Sequence, residues 1–92
     1  MNRFQVILTE HAVTDLKDIP KELRDQVHQD LKALESSPSL SPPKVKRLRT
    51  FRPPLYRLRS GEYRVLYRVQ GNIVTILRII DRKILERVIK RL

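Results

Sequence analysis

The chain has 92 residues, no cysteine and a formal net charge of +10, with 20 lysines and arginines against 10 aspartates and glutamates. This length predicts one domain over 1–92, because the core it can bury is too small to divide. The missing cysteines exclude disulfides and thiolate metal sites, and no apolar run is long enough to cross a membrane. We therefore expect a cytoplasmic protein without a membrane role.

The charge is unevenly distributed along the chain. Residues 1–43 hold five basic and seven acidic side chains, whereas residues 44–92 hold fifteen basic and three acidic ones. Most of the basic residues in the second half are arginines, whose planar fork of donors suits phosphate. This pattern predicts that the second half contacts nucleic acid. The alternative is a solvated basic surface.

The first half predicts a strand followed by two helices. Residues 4–8 are apolar and rich in β-formers, and the side-chain oxygen of Thr9 can cap a helix that follows. A second helix is predicted over about 20–35, where Leu23, Val27, Leu31 and Leu34 recur at helical spacing. The two helices form a hairpin that needs an apolar surface to cover.

The second half predicts four strands and a closing helix. A Pro/Ser loop over 36–43 precedes a short strand at 45–48, and 55–59 and 63–69 read as two strands around a glycine turn. An apolar strand follows at 73–80, and Asp81 can cap a last helix. The predicted class is α+β, with an N-terminal strand and a helical hairpin packed on a small antiparallel sheet and a short C-terminal helix.

Arginines are concentrated on the two predicted hairpin strands. Arg57 and Arg59 share one face of their strand, and Arg64 and Arg68 share one face of the next. If the connecting turn has an even number of residues, all four point to the same side. Such a like-charge cluster predicts a phosphate-binding site. The alternative is that these arginines extend into water at a sheet edge.

Other polar residues have weaker functional signals. A basic run is predicted to contact RNA, or else to be a solvated loop, and its members are Lys44, Lys46, Arg47, Arg49 and Arg52. His11 and His28 are expected to be exposed rather than metal ligands. Tyr63 and Tyr67 are expected in the core, with base stacking as the alternative.

Residues 56–67, YRLRSGEYRVLY, are followed by an apolar strand and then by Asp81-Arg82-Lys83. This pattern and the order of the elements resemble the RelE/ParE toxin superfamily. The resemblance implies a toxin of a type II toxin–antitoxin system, held by a cognate antitoxin in a hetero-oligomer. RelE-type members are implied to be endonucleases that cut mRNA in the ribosomal A site, and ParE-type members inhibit DNA gyrase.

The resemblance also implies roles for individual residues. Arg64 corresponds to a phosphate-contacting arginine, Arg57 to a basic catalytic residue, and Arg82 to a basic residue ahead of the last helix. The family's lysine two residues before Arg57 is Leu55 here, and its aromatic four residues after Arg82 is Glu86. A degenerate member that binds RNA or antitoxin without cutting is therefore a further alternative.

The expected chemistry is cleavage without a metal or cofactor. An RNA 2′-hydroxyl attacks its own 3′-phosphate in line, and arginines hold the developing negative charge. Arg59 and Arg68 are expected to position flanking phosphates. Arginine stays protonated and cannot easily act as the base. Glu86 is the candidate base, with a tyrosine or ribosomal RNA as substitutes, although its alternative is a helix-surface ion pair.

Overall fold

Five strands form one mixed sheet with helices on both faces in the computed structural model, which describes residues 3–36, 45–48 and 51–91. The strands are β1 Gln5–Leu8, β2 Val45–Leu48, β3 Leu55–Ser60, β4 Tyr63–Gln70 and β5 Ile73–Asp81. The helices are α1 Glu10–Asp18, α2 Lys21–Ala33 and α3 Leu85–Lys90, with a 3₁₀ turn at Arg82–Ile84 before α3. The α+β class and the order of the elements are those predicted.

The sheet differs from the prediction at one edge. Its strand order is β1-β5-β4-β3-β2, and β2 to β5 form the expected antiparallel meander. β1, however, pairs in parallel with β5, which makes the sheet mixed rather than wholly antiparallel. A parallel neighbour requires a long connection, and the chain between β1 and β5, which forms α1, α2 and strands β2 to β4, supplies one.

The helical hairpin begins at a side-chain cap. Thr9 Oγ1 accepts from the backbone N–H of Ala12 at 3.2 Å and donates to the carbonyl of Leu77 at 3.0 Å, so the same hydroxyl caps α1 and joins it to β5. α2 begins after Pro20 without a side-chain cap and ends slightly earlier than its apolar spacing predicts. Leu23 on α2 is 46% exposed, so the buried stripe of this helix is narrower than predicted.

Two cores lie on opposite faces of the sheet. The larger core joins the hairpin to one face, and its central residues include Val27, Leu34, Leu58, Tyr67 and Ile76. The smaller core joins α3 to the other face through Leu66, Ile80 and Leu85. Because side chains alternate along a strand, residues 64, 66 and 68 of β4 lie on the α3 side. Among the described helices, none is long and apolar enough to cross a membrane.

Candidate functional site

The turn between β3 and β4 brings three arginines to one face of the sheet. It contains two residues, of which Gly61 has a φ of +58° that favours glycine. Arg59 is directly opposite Arg64, and Arg57 is opposite Leu66. Directly opposite residues share a face, so these arginines all lie on the α3 side of the sheet. The two-residue turn thus meets the condition for convergence that the sequence left open.

Two of these arginines, Arg57 and Arg64, border a cleft of about 310 Å³ at the start of α3. Arg57 and Arg64 come from the sheet, whereas Arg82 and Lys83 come from the turn that precedes α3. Leu85 also lines this cleft, and it is buried against Leu66 and Ile80. Burial of Leu85 therefore holds the basic turn that precedes α3 beside the β3–β4 hairpin. We call this site the arginine cleft.

An ion pair with Glu62, in the turn between β3 and β4, orients Arg82. Its Nε atom contacts Oε2 of Glu62, and its backbone N–H donates to the carbonyl of Glu62 at 2.9 Å. Both side chains are more than half exposed, at 55% and 64%, so the pair adds little to stability. Its main effect is to keep the guanidinium of Arg82 near the cleft.

Arg64 lies at the centre of this electrostatic arrangement. Its Nη1 atom donates to the carbonyls of Gly61 at 3.0 Å and Tyr63 at 2.9 Å, which ties the guanidinium to the turn. Burial lowers the pKa of Arg64, and the positive charges of Arg57, Arg59 and Arg82 lower it further. An arginine remains charged despite this effect. An anion that neutralises these charges therefore stabilises the cluster.

The other predicted RNA-binding residues are spread over the sheet. Lys46 on edge strand β2 is opposite Arg57 and shares its face, which extends the basic surface of the arginine cleft. Arg47 is opposite Tyr56 and lies on the other face. Arg68 lines a separate cleft on the α3 side. Lys44 and Arg49 lie outside the described residues.

Glu86, the predicted base, is exposed in the first turn of α3 and is not among the residues that line the arginine cleft. The carboxylate that pairs with a cleft arginine is instead Glu62. Glu62 and Lys83 both occur in the motifs quoted above, where Glu62 has no predicted role and Lys83 is only an ion-pair partner in the alternative interpretation of Glu86. Their positions next to Gly61 and Arg82 in those motifs are the sequence signal that could have placed them at the site.

The predicted positions of the tyrosines in the core and of the histidines on the surface are confirmed. Tyr67 is fully buried and stacks on Tyr56, with ring centroids 5.4 Å apart, on the face that the hairpin covers. Tyr63 packs against the same core, so these tyrosine rings are covered by protein and do not form a surface for base stacking. His11 and His28 are exposed. Within the described ranges, no three His, Asp or Glu residues are grouped to hold a metal ion.

A sheet with a helical hairpin on one face and a basic cleft beside a short helix on the other is the architecture of the RelE-like toxin structures. The chain belongs to the ParE toxin family of type II toxin–antitoxin systems, within the RelE/ParE superfamily, because the family model matches residues 6–85. No functionally curated protein sequence matches it. The chain is thus a type II toxin of this superfamily.

Solved structures agree with this assignment. The archaeal RelE–RelB complex of Pyrococcus horikoshii OT3 matches with 28% identity and a TM-score of 0.76, over 89% of this chain and 97% of that one. The RelBE2 toxin–antitoxin complex of Mycobacterium tuberculosis matches with 28% identity and a TM-score of 0.73, over 87% and 99%. The ParDE system of P. aeruginosa, at 19% identity, matches over 88% and 98% with a TM-score of 0.59 and shares the fold.

Proposed function

We propose that this toxin is a ribosome-dependent mRNA endonuclease that stops translation and is held inactive by a cognate antitoxin. The observation that carries this proposal is the convergence of Arg57, Arg64 and Arg82 on one cleft. Three guanidinium groups from three different segments surround a space suited to one phosphate group. The relatives solved as RelE–RelB complexes support both the nuclease and the antitoxin partner.

The proposed reaction is a phosphoryl transfer within the RNA. The 2′-oxygen loses its proton and bonds to the adjacent phosphorus, while the bond to the 5′-oxygen of the next nucleotide breaks and that oxygen takes a proton. Arg64, with Arg57 and Arg82, stabilises the negative charge on the pentavalent phosphate. Arg59 and Lys46 lie on the same face, in positions to hold flanking phosphates. Neither a metal nor a cofactor is required.

Cleavage of mRNA on programmed ribosomes by the purified protein tests this function. We expect Arg64→Ala to lower the cleavage rate by about 10²-fold, because removing one preorganised donor for a developing charge has this effect. Arg3→Ala is the control, since that arginine is 73% exposed and pairs with Glu35 away from the cleft. Both variants should unfold cooperatively on heating, which shows that they are folded. Wild-type cleavage by Arg64→Ala would refute the site.

Inhibition of DNA gyrase is the second candidate, and the match to a ParE family model favours it. A gyrase inhibitor acts by binding, so it leaves message intact and breaks DNA. Supercoiling assays with purified gyrase, run beside the ribosome assay, separate the two functions. If gyrase loses supercoiling activity and mRNA stays uncut, gyrase inhibition replaces the nuclease proposal. If the protein has neither effect, it is a non-cleaving member that binds RNA or antitoxin.

A further inference from the structure

The α3 side of the sheet carries a second cleft that the proposed reaction does not use. Its volume is about 900 Å³, and it lies between the start of α1 and α3. Arg68 and Arg78 reach it from the sheet, while Arg87 and Arg91 reach it from α3 and its end. We call this site the α3 cleft. Its size is within the range of pockets that hold a whole small ligand.

The charges of the α3 cleft are arranged for an anion. Of the described residues that line it, four are arginines and Glu10 is the one carboxylate. Asp15 already pairs with Arg78, through contacts of 2.7 and 3.1 Å. Arg87 and Arg91 are four residues apart on successive turns, a spacing at which like charges repel.

Arg68 adds a second observation. Its Nε atom is buried and has no hydrogen-bond partner, although buried donors are almost always paired. Leaving such a donor unpaired costs free energy that a bound acceptor would recover. Because Arg68 lies on the cleft wall, an acceptor bound in the α3 cleft is the natural source of that hydrogen bond.

Apolar side chains complete the cleft. Ile84 is 37% exposed, and Val88 lies one helical turn further along the lining. An exposed apolar surface beside guanidinium groups suits a ligand that combines a flat apolar face with negative charge. Nucleotides have this combination. Their bases stack on arginine planes and pack on apolar side chains, and their phosphates accept two hydrogen bonds from one guanidinium group.

We propose that the α3 cleft binds a second segment of the same single-stranded RNA that enters the arginine cleft. Arg64 and Arg68 face the same side of β4 four residues apart, which places the two sites about 13 Å apart at the rise of a strand. One RNA strand can reach both. The inference rests on the proposed nuclease function and assigns the α3 cleft to substrate binding rather than to chemistry.

Fluorescence anisotropy with a labelled uridine oligonucleotide tests the binding. We expect Arg87→Ala with Arg91→Ala to weaken binding roughly tenfold and to reduce the slope of log K against log salt by about 1.4, which is the value for two lost phosphate contacts. Lys17→Ala with Lys21→Ala removes the same charge from exposed positions of the helical hairpin and should leave affinity near wild type. Glu10→Gln should tighten binding roughly twofold, because it removes the opposing carboxylate.

Two outcomes would overturn the inference. They are unchanged RNA affinity in the α3 double variant and an equal loss of affinity in the lysine control. If RNA affinity is unchanged but polyglutamate binds and needs Arg87 and Arg91, the cleft is instead a site for an acidic peptide.

The cleavage assay separates this inference from the proposed function. In it, the α3 double variant should raise KM and keep kcat, whereas Arg64→Ala lowers kcat. If the wild-type protein cuts mRNA and the α3 double variant binds RNA as tightly as wild type, only the inference is refuted. A wild-type protein that binds RNA through this cleft but never cuts refutes only the proposed function.

Discussion

Folding alters the ionisation of Tyr67, one of the described residues. It is fully buried in the larger core and stacks on Tyr56. Burial raises the pKa of Tyr67, and the nearby Tyr56 raises it further. A phenol that keeps its proton in the folded state contributes stability fully below its unfolded pKa of about 10. That contribution is lost as the pH rises above this value, because the unfolded tyrosine then ionises first.

Alkaline unfolding of Tyr67→Phe tests this linkage. Above about pH 10, Tyr67 alone should reduce the free energy of unfolding by up to about 1.4 kcal/mol per pH unit, and the phenylalanine variant should lack this contribution. Urea titrations at several alkaline pH values measure the difference. Tyr63→Phe, at a half-buried position on the same face of β4, is the matched control for removal of a tyrosine hydroxyl. Identical slopes for Tyr67→Phe and wild type would contradict the burial argument.

Among the elements, the contact between α1 and β5 depends on one carboxylate. Asp15 of α1 accepts from Nε and Nη2 of Arg78 and from the backbone N–H of Ile79 at 3.0 Å. The Asp15 side chain is only 15% exposed, so its charge is partly removed from water. The hydrogen bond from Arg78 raises the pKa of that arginine, and the charge of Asp15 adds to the effect. Asp15 therefore stabilises the charged form of Arg78.

Replacing this carboxylate should loosen α1. Asp15→Asn keeps the shape but removes the charge and leaves Arg78 with a weaker acceptor, so we expect a loss of about 2 kcal/mol in the free energy of unfolding. Asp18→Asn, at an exposed position of the same helix, should cost less than about 0.5 kcal/mol. Equal urea midpoints for the two variants would show that the Asp15 contacts do not hold α1 to the sheet.

Local patterns predicted most of the elements but not all of their neighbours. The spacing of Val27, Leu31 and Leu34 predicted α2, because buried helical residues recur every three or four positions. The parallel position of β1 was not predicted, since a short strand with three apolar residues does not encode which strand it joins or in which direction. Tertiary pairing decides that, through the register of Gln5 with Ile73.

The candidate site was predictable to the extent that strand geometry alone determined it. A two-residue turn and strict alternation placed Arg57, Arg59 and Arg64 on one face. Arg68 shares that face, yet Leu85 packs over Leu66 between Arg64 and Arg68, so the two arginines line different clefts. Where α3 would dock could not be read from its own sequence, because its amphipathic pattern fits any apolar surface.

On the scale of the whole molecule, most of the basic charge belongs to the half of the chain that forms β2 to β5 and α3. This segregation supports binding of a polyanion but destabilises the free protein, since like charges gather on the α3 side of the sheet. Arg59 and Arg64, directly opposite each other, are one such repulsive pair. A bound anion would stabilise the fold by mass action, and salt partly substitutes for it.

The melting temperature should therefore rise with salt. The longest dimension of the molecule is 33 Å. From about 0.01 M to about 0.15 M salt the Debye length falls from about 30 Å to about 8 Å, so repulsion is screened across the molecule. We expect a rise of at least about 4 °C, which corresponds to about 1 kcal/mol in a domain of this size.

Arg59→Gln should melt higher than wild type at low salt and gain less from added salt, because it removes one member of the opposed arginine pair. Lys21→Gln changes the charge of the nearly balanced half and should keep the wild-type salt response. Differential scanning calorimetry across the salt series measures both variants. A melting temperature that falls with salt would mean that attractive pairs such as Arg78 with Asp15 outweigh the repulsion, and the segregated charge would then not destabilise the free toxin.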